Sequence, residues 1–174
     1  MNIFYLDKDP IKSARYHHDK HVVKMILESA QLLSTAHRML DGEFWIDNSS
    51  GRKVQRWNLP TKEVLYKATH MNHPSNKWAR ESKSNYEWLY QLFNALCIEY
   101  THRYNKVHLT QLKLDHILKN PPKNIQNIGL TKMPQAMPEQ YRCEDSVEAY
   151  RNYYRNEKMS QSKYTNREIP EWLK

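Results

Sequence analysis

The sequence has little cysteine and no long hydrophobic run. Cys97 and Cys143 are its only cysteines, too few for a disulfide framework and without the C-x-x-C pairing typical of structural zinc sites. No stretch approaches the length needed to span a bilayer, and the opening residues MNIFYLDKDP place no apolar run behind a basic segment. These absences argue against secreted and membrane classes. We expect a cytoplasmic or nucleoid-associated protein, in the host cytoplasm if the source is viral.

What the chain does have is basic charge and aromatic side chains. Among 174 residues, 27 Lys and Arg face 19 Asp and Glu, which gives a formal net charge of +8. This excess favours DNA or RNA as partner, because each neutralised phosphate releases condensed counterions. The 12 tyrosines and 5 tryptophans strengthen that interpretation, since rings among cations can stack on exposed bases. A basic protein without a polyanionic partner is the alternative that charge leaves open.

Hydrophobic periodicity predicts two long helices. Over residues 19–40 the apolar positions recur at helical spacing, and Gly42 is expected to close this helix in the left-handed conformation. A second apolar stripe runs through residues 86–104. The length suits one domain, so we predict an all-α fold in which these two helices pack together as the core of a single compact domain covering residues 1–174.

Capping residues and prolines mark the shorter elements. Asp9-Pro10 is typical of a helix start, and Asn120-Pro121-Pro122 of a helix end. The polar run around Gly51 indicates a small hairpin. The predicted elements are therefore a hairpin near 43–57, helices at 61–68, across Trp78, at 109–118 and at 145–156, and a long ordered loop over 120–141.

The densest group of functional side chains is Tyr16-His17-His18-Asp19-Lys20-His21, which runs towards Lys24 and Glu28. On one continuous helix, positions 17, 21, 24 and 28 would share a face. Three interpretations remain open at this point. The face is solvated, with a Lys24–Glu28 ion pair; or His17 and His21 bind a metal together with His70 and His73; or Glu28 does acid–base and electrostatic work on nucleic acid.

The chain resembles a known family in three segments. The first segment of the resemblance runs from Met1 to about Leu33, a second follows at Asn72-His73-Pro74, and a third at Glu99 with Arg103. The residues that carry the first two are Phe4, Ser13-Ala14-Arg15, Asp19, Lys24, Glu28, Gln31, Leu33 and the downstream Trp78. In these positions the chain is similar to the pyrimidine dimer DNA glycosylases, the endonuclease V-like family and its broader bacterial relatives.

The resemblance implies a catalytic set. In that family a free N-terminal α-amine is the nucleophile, and it works with a glutamate on the first long helix and a histidine two turns earlier. The pattern falls on Met1, Glu28 and His21, with Lys20 or Lys24 as substitute amines if their pKa were lowered. Gln31 stands where the phage member carries arginine. The side chains expected to contact nucleic acid are Arg15, Lys20, Lys24, Gln31, Arg38, His73, Trp78 and Arg80.

The resulting prediction is a DNA N-glycosylase with a strand-lyase step, acting on damaged or modified pyrimidines. We expect DNA as its partner, no membrane contact, no cofactor, no metal and a monomeric state. Two other classes remain as alternatives. One is a non-catalytic nucleic-acid-binding protein on the same scaffold, and the other is a metal-dependent hydrolase built on the histidine pairs.

Overall fold

The structure, a computed structural model, describes residues 1–159 and 162–174. It contains six α-helices and one antiparallel hairpin within those residues. The helices are α1 (Pro10–Tyr16), α2 (Asp19–Asp41), α3 (Pro74–Glu81), α4 (Lys83–Tyr104), α5 (Leu109–Leu118) and α6 (Ser146–Glu157), the strands are β1 (Glu43–Asp47) and β2 (Val54–Asn58), and short 3-10 turns cover Pro60–Lys62, Glu139–Tyr141 and Glu171–Leu173. The predicted all-α class and the predicted hairpin are both confirmed. No helix in these two ranges is long and apolar enough to cross a membrane.

The core lies where α2 packs against α4, as their apolar stripes predict; α3 packs on both of these helices, and α1 packs on α4. Met25, Ile26 and Leu33 of α2 are fully buried, as are Leu89 and Phe93 of α4. Removing such side chains from water provides the main driving force for folding. This packing fixes one face of α2 and leaves part of its opposite face near the surface.

Side-chain caps define where the helices begin. The Asp9 carboxylate accepts from the backbone nitrogen of Ile11 at 2.8 Å, with Pro10 in the first turn. Ser82 has extended backbone and separates α3 from α4, and its hydroxyl caps α4 by accepting from the backbone nitrogen of Ser84. The helix across Trp78 therefore abuts the long helix and does not merge with it.

Three local expectations were wrong. Residues 61–68 contain only the 3-10 turn at Pro60–Lys62 where a helix was predicted. Gly42 has a φ of −88°, so it is not left-handed; a side chain is excluded there because a β-carbon would run into the carbonyl oxygen of Arg38. His17 and His18 adopt extended backbone between α1 and α2, so no single helix carries positions 17 to 28.

The last third of the chain wraps the helical body, in keeping with the predicted long loop. Residues 119–138 contain no helix or strand, yet Met133 and Met137 are buried in the core. Near the C-terminus, the Thr165 hydroxyl donates to Asp19 at 2.6 Å and Trp172 packs against Tyr154. This late segment therefore closes over the first helices, including the turn between α1 and α2.

Candidate active site at the N-terminus

The start of the chain lies against the middle of α2. The backbone nitrogen of Asn2 donates to Glu28 Oε2 at 3.0 Å, while Lys24 Nζ lies 3.5 Å from the other carboxylate oxygen. The Glu28 side chain is 12% exposed, and that of Lys24 is 62% exposed. A carboxylate thus lies at the surface between the first peptide group of the chain and a cation.

The side chain of Asn2 locks this arrangement in place. Its amide Nδ2 donates to the carbonyl oxygen of Ala136 at 2.9 Å. Its Oδ1 accepts from the Ser75 hydroxyl at 3.2 Å and from the Tyr150 hydroxyl at 3.1 Å. Residue 2 is therefore held by α3, by the loop before α6 and by α6 itself, which fixes the direction of its backbone nitrogen towards Glu28.

His73, from the Asn-His-Pro motif, is the N-cap of α3 beside this site. Its Nδ1 accepts from the backbone nitrogen of Ser75 at 3.2 Å. Partial burial lowers the pKa of His73, the positive charges of the chain N-terminus and His70 lower it further, and Glu28 acts in the opposite direction. In the neutral ring with Nδ1 as acceptor, the proton is on Nε2, which makes His73 a hydrogen-bond donor.

His21 lies under the site and not on a non-core face of α2. Its ring is 8% exposed, stacks on Phe4 at 4.5 Å and on His18 at 4.1 Å, and meets Tyr154 edge to face. Burial, followed by the charges of His17 and His18, lowers its pKa to about 2. His21 is therefore uncharged at neutral pH, and it supports the N-terminal segment through the ring of Phe4.

The histidine pairs do not form the metal site considered above. His17 is fully buried, and its Nδ1 lies 2.7 Å from the carbonyl oxygen of Ser13. His70 and His73 belong instead to the exposed edge before α3. Across residues 1–159 and 162–174, no group of three or more His, Cys, Asp or Glu side chains is arranged to hold a metal ion. The metal-dependent hydrolase therefore gains no support from the geometry.

Three of the side chains predicted to bind DNA have structural partners. The Arg38 guanidinium donates to the backbone carbonyls of Trp57, Leu65 and Tyr66 at 2.7–2.9 Å. Trp78 is 4% exposed and donates its indole N–H to the carbonyl of Thr131. Arg80 donates to Asn76 Oδ1 and to the carbonyl of Met71, both at 2.7 Å. Trp78 is thus a core residue and is not placed to insert between bases. Arg38 and Arg80 hold loop carbonyls and so stabilise loops.

The remaining predicted contacts are distributed along α1 and α2. Arg15 and Lys20 are exposed, Gln31 is half-buried, and Lys24 is paired with Glu28. Lys20 and Lys24 lie one turn apart on α2, so both can face a phosphate backbone that approaches the site. The structure therefore brings Met1, Glu28, Lys24 and His73 to one place and leaves Arg15 outside it.

No sequence motif identifies the residues that anchor Asn2. Ser75 lies 73 positions and Tyr150 148 positions further along the chain, and neither occurs in a recognisable motif. Only their shared contact with Asn2 reveals them. The neighbouring Asn72-His73-Pro74 motif was the one indication that the start of α3 belongs to the site.

Comparison with known proteins identifies the family of this chain. The sequence model of the family described as pyrimidine dimer DNA glycosylase matches residues 1–112, which include the N-terminal segment, α2 and the α3 motif. No curated protein matches the chain, and no solved structure does. The matched part is well over half of the 174 residues and leaves the loop before α6 and α6 outside it. This chain belongs to the pyrimidine dimer DNA glycosylase family, a family of DNA-repair glycosylases.

Proposed function

We propose that this chain is a DNA N-glycosylase that releases damaged or modified pyrimidines, with an amine at its own N-terminus as nucleophile and Glu28 as the catalytic carboxylate. The observation that carries the proposal is the 3.0 Å hydrogen bond from the backbone nitrogen of Asn2 to Glu28 Oε2. In the chain that begins at Met1 this nitrogen is a peptide amide, and in a chain that begins at Asn2 the same nitrogen is the α-amine. It supports the proposal because the bond directs the start of the chain at a carboxylate, and an N-terminal amine and a carboxylate are the two groups that such a reaction needs side by side.

In the proposed base-release step the uncharged amine attacks the sugar carbon C1′. The bond from C1′ to the base breaks, its electron pair leaves with the base, and the base takes up a proton. Positive charge develops on the sugar as this bond breaks. The Glu28 carboxylate lowers the energy of that state by its negative charge, and Lys24 at 3.5 Å holds it in position.

In the proposed lyase step the nitrogen lone pair of the nitrogen–C1′ adduct forms a C=N bond as the C1′–O4′ bond breaks, and the N–H proton passes to O4′, which yields a Schiff base with an open sugar. Loss of a proton from C2′ then drives departure of the 3′ phosphate and cuts the strand. Water finally hydrolyses the Schiff base and regenerates the free amine. An α-amine suits this cycle because its ordinary pKa lies near neutrality, so that a useful fraction is uncharged.

DNA binding is supported by the charges around Glu28. Lys20 and Lys24 lie on the same side of α2, and His73 presents a donor nitrogen at the N-terminus of α3. An uncharged His73 can donate to a phosphate or to the departing base without repelling the nearby N-terminal amine. The overall charge of +8 supports attraction to the duplex from a distance.

The decisive experiment compares three forms of the protein that differ only at the N-terminus. One begins at Met1, the second begins at Asn2 after cleavage of a removable leader, and the third carries two extra residues before Met1. Each is incubated with a thymine-dimer duplex and with an abasic duplex, and adducts are trapped with borohydride. We expect the form that begins at Asn2 to trap most, because its amine is the nitrogen beside Glu28.

The outcomes separate the candidate nucleophiles. Trapping by the first two forms but not by the extended chain would support the N-terminal amine. An adduct that also forms with the extended chain would assign the role of nucleophile to Lys20 or Lys24. No adduct and no released base with any form would contradict the enzyme proposal and favour the non-catalytic DNA-binding protein.

A further inference from the structure

The hairpin at the other end of α2 exposes aromatic side chains. Trp45 of β1 is 48% exposed and lies directly opposite Arg56 of β2. Residues directly opposite each other on paired strands project from the same face, so the indole and the guanidinium share one side of the hairpin. Phe44 is exposed as well, but it lies opposite Trp57 and belongs to the other face.

The Trp45 face borders a concave pocket of about 230 Å³ between the hairpin and residues 67–68. Its lining includes three cations, Arg38, Arg56 and Lys67, and one carboxylate, Asp47, which is a charge of three minus one, or +2. Arg56 pairs with Asp47 at 3.4 Å. Arg38 has no carboxylate within ion-pair distance among the residues described. An exposed ring beside an excess of positive charge is complementary to the sugar and phosphate of a nucleotide.

The pocket is built before any ligand arrives. Arg38 donates to the carbonyl of Trp57 in β2 and to those of Leu65 and Tyr66, so one guanidinium joins α2, the hairpin and the far wall of the pocket. These bonds lower the conformational freedom of the hairpin relative to the helix. A surface whose cations and ring are already positioned has less ordering entropy to lose on binding.

A continuous segment connects this pocket with the N-terminal site. Residues 65–73 run along α2: Leu65 contacts Arg38, the backbone nitrogen of Thr69 donates to Thr35 Oγ1 at 3.3 Å, and His73 lies beside Glu28. Glu28 and Arg38 are ten residues apart on α2, which at 1.5 Å per residue is about 15 Å. A DNA strand rises about 3.4 Å per nucleotide, so this separation is roughly four to five nucleotides.

We propose that the hairpin and residues 67–68 form a second DNA-binding site, which holds the sugar–phosphate backbone about four to five nucleotides from the reacting base on one side. Trp45 packs against the deoxyribose, while Lys67 and Arg56 contact the phosphate. The inference rests on the proposed function in that both require DNA as the partner. It adds contacts with the DNA on one side of the reacting base, and the reaction at the N-terminal site does not require these contacts.

The first test shortens the DNA on each side separately. The starting substrate is a 30-base-pair duplex with a central thymine dimer. Binding is measured after the duplex on the left or on the right of the dimer is shortened to eight, six, four or two base pairs. We expect wild type to lose roughly tenfold in affinity once one flank falls below about five base pairs, because a ring of this size buries substantial apolar area. Trp45→Ala should bind long duplexes several-fold more weakly, and it should lose less affinity than wild type on shortening, because Lys67 and Arg56 still contact the phosphate.

Phe44→Ala is the matched control, since it removes an exposed aromatic from the opposite face of the same hairpin. It should behave like wild type on every duplex. An equal loss with Phe44→Ala, or equal flank dependence in Trp45→Ala and wild type, would overturn the proposal. So would a Trp45→Ala variant that changes only the oligomeric state, because that result assigns the hairpin to a protein interface. Melting temperatures verify that each variant is folded.

The second test concerns charge. Lys67→Ala should lower the dependence of log affinity on log salt concentration by about 0.9, the contribution of one phosphate contact. Lys113→Ala, which removes an exposed lysine from α5, should leave that slope unchanged. Equal slopes for Lys67→Ala and wild type would contradict the phosphate contact.

These readouts are affinities, so they are independent of catalysis. A wild-type protein that binds the duplex with flank dependence but releases no base would contradict the proposed function and leave the second site supported. A wild-type protein that releases bases without flank dependence would support the enzyme and contradict the second site. A wild-type protein that binds no DNA would overturn both.

Discussion

Glu28 on α2 and Glu99 on α4 each pair with a cation four residues away, Lys24 and Arg103 respectively. Glu28 lies at the surface, with a flexible and largely exposed lysine. Glu99 is 3% exposed, and Arg103, with a fully buried side chain, also donates to Asp19 and to the carbonyl of His17. The same helical spacing thus occurs in a surface ion pair beside the start of the chain and in a buried network of charges.

The difference follows from what else surrounds each carboxylate. Burial raises the pKa of Glu99, but hydrogen bonds and charges from Arg167 and Arg103 outweigh it and hold the pKa below its ordinary value. Its oxygens are occupied by these arginines at 2.7–3.2 Å. Glu28, in contrast, accepts from the backbone nitrogen of Asn2 and pairs with the largely exposed Lys24, and no arginine pairs with it among the residues described. Identical substitutions in the two glutamates should therefore have opposite consequences.

The largest effect is expected for Glu28→Gln on catalysis. The amide still accepts from the nitrogen of Asn2 but lacks the charge that stabilises the cationic sugar. Base release should fall by about 10²–10⁴-fold, while the free energy of unfolding changes by less than about 1 kcal/mol. Single-turnover base release and urea unfolding measure the two quantities. Base release at the wild-type rate by Glu28→Gln would show that Glu28 is only one partner of a surface ion pair.

Glu99→Gln should act on stability. The substitution leaves the buried guanidinium of Arg103 with one fewer charged partner, and breaking a buried pair costs about 3–5 kcal/mol. Urea unfolding reports the loss, and base release by the folded fraction should stay within a fewfold of wild type. An unchanged unfolding free energy would show that Asp19 alone neutralises Arg103.

Acid should weaken the internal framework through the buried histidines. Burial lowers the pKa of His17 to about 3 and that of His21 to about 2, followed for His21 by the charges of neighbouring histidines. The unfolded chain takes up these protons near the ordinary pKa of about 6.5, whereas the folded chain does not. The contribution of these histidines to stability is therefore fully present above about pH 6.5, and it declines as the pH falls towards their folded-state pKa values of about 3 and about 2.

The measurement is urea unfolding between pH 7 and 5. His21→Phe, which keeps a ring against Phe4, should reduce the slope of unfolding free energy below pH 6 by about 1 kcal/mol per pH unit. His116→Phe, on the exposed side of α5, is the control and should leave the slope unchanged. Equal slopes in His21→Phe and wild type would mean that His21 is protonated in the folded protein.

Tyr150→Phe tests whether the region beyond the family match contributes to the site. It removes the hydroxyl that lies 3.1 Å from Asn2 Oδ1 and 2.9 Å from the carbonyl of Pro134. We expect a stability loss of about 1–3 kcal/mol and a severalfold fall in base release by the folded protein, because residue 2 is less firmly directed at Glu28. Tyr153→Phe serves as the control on the same helix. Unimpaired base release in Tyr150→Phe would limit Tyr150 to a role in folding.

Lys24→Ala should have the smallest effect on stability. The exposed pair with Glu28 contributes less than about 0.5 kcal/mol, as does the comparable pair of Lys83 with Glu87. The two lysines should differ in DNA binding. Lys24→Ala should lower the dependence of log affinity on log salt concentration by about 0.9, and Lys83→Ala should leave it unchanged. Equal slopes would remove Lys24 from the DNA-binding surface.

Much of the fold follows from the sequence alone. Periodicity predicts α2 and α4 to within three residues, the Asp9-Pro10 cap predicts the start of α1, and the polar turn around Gly51 predicts the hairpin. These features are local, because a helix or turn depends on residues a few positions apart. The resemblance to the glycosylase family, carried in part by Glu28 and the Asn-His-Pro motif, likewise predicts a site before any contact is known.

The tertiary structure decided which residues meet. The sequence cannot show that His21 is buried against Phe4, that Trp78 and Arg38 bond to distant carbonyls, or that Tyr150 reaches Asn2 across 148 positions. A surface ion pair and a buried ion pair can have the same helical spacing, so periodicity does not distinguish the surroundings of Glu28 from those of Glu99. That distinction arises when helices and loops from the whole chain pack together, because packing alone determines which charges are covered and which stay open to a substrate.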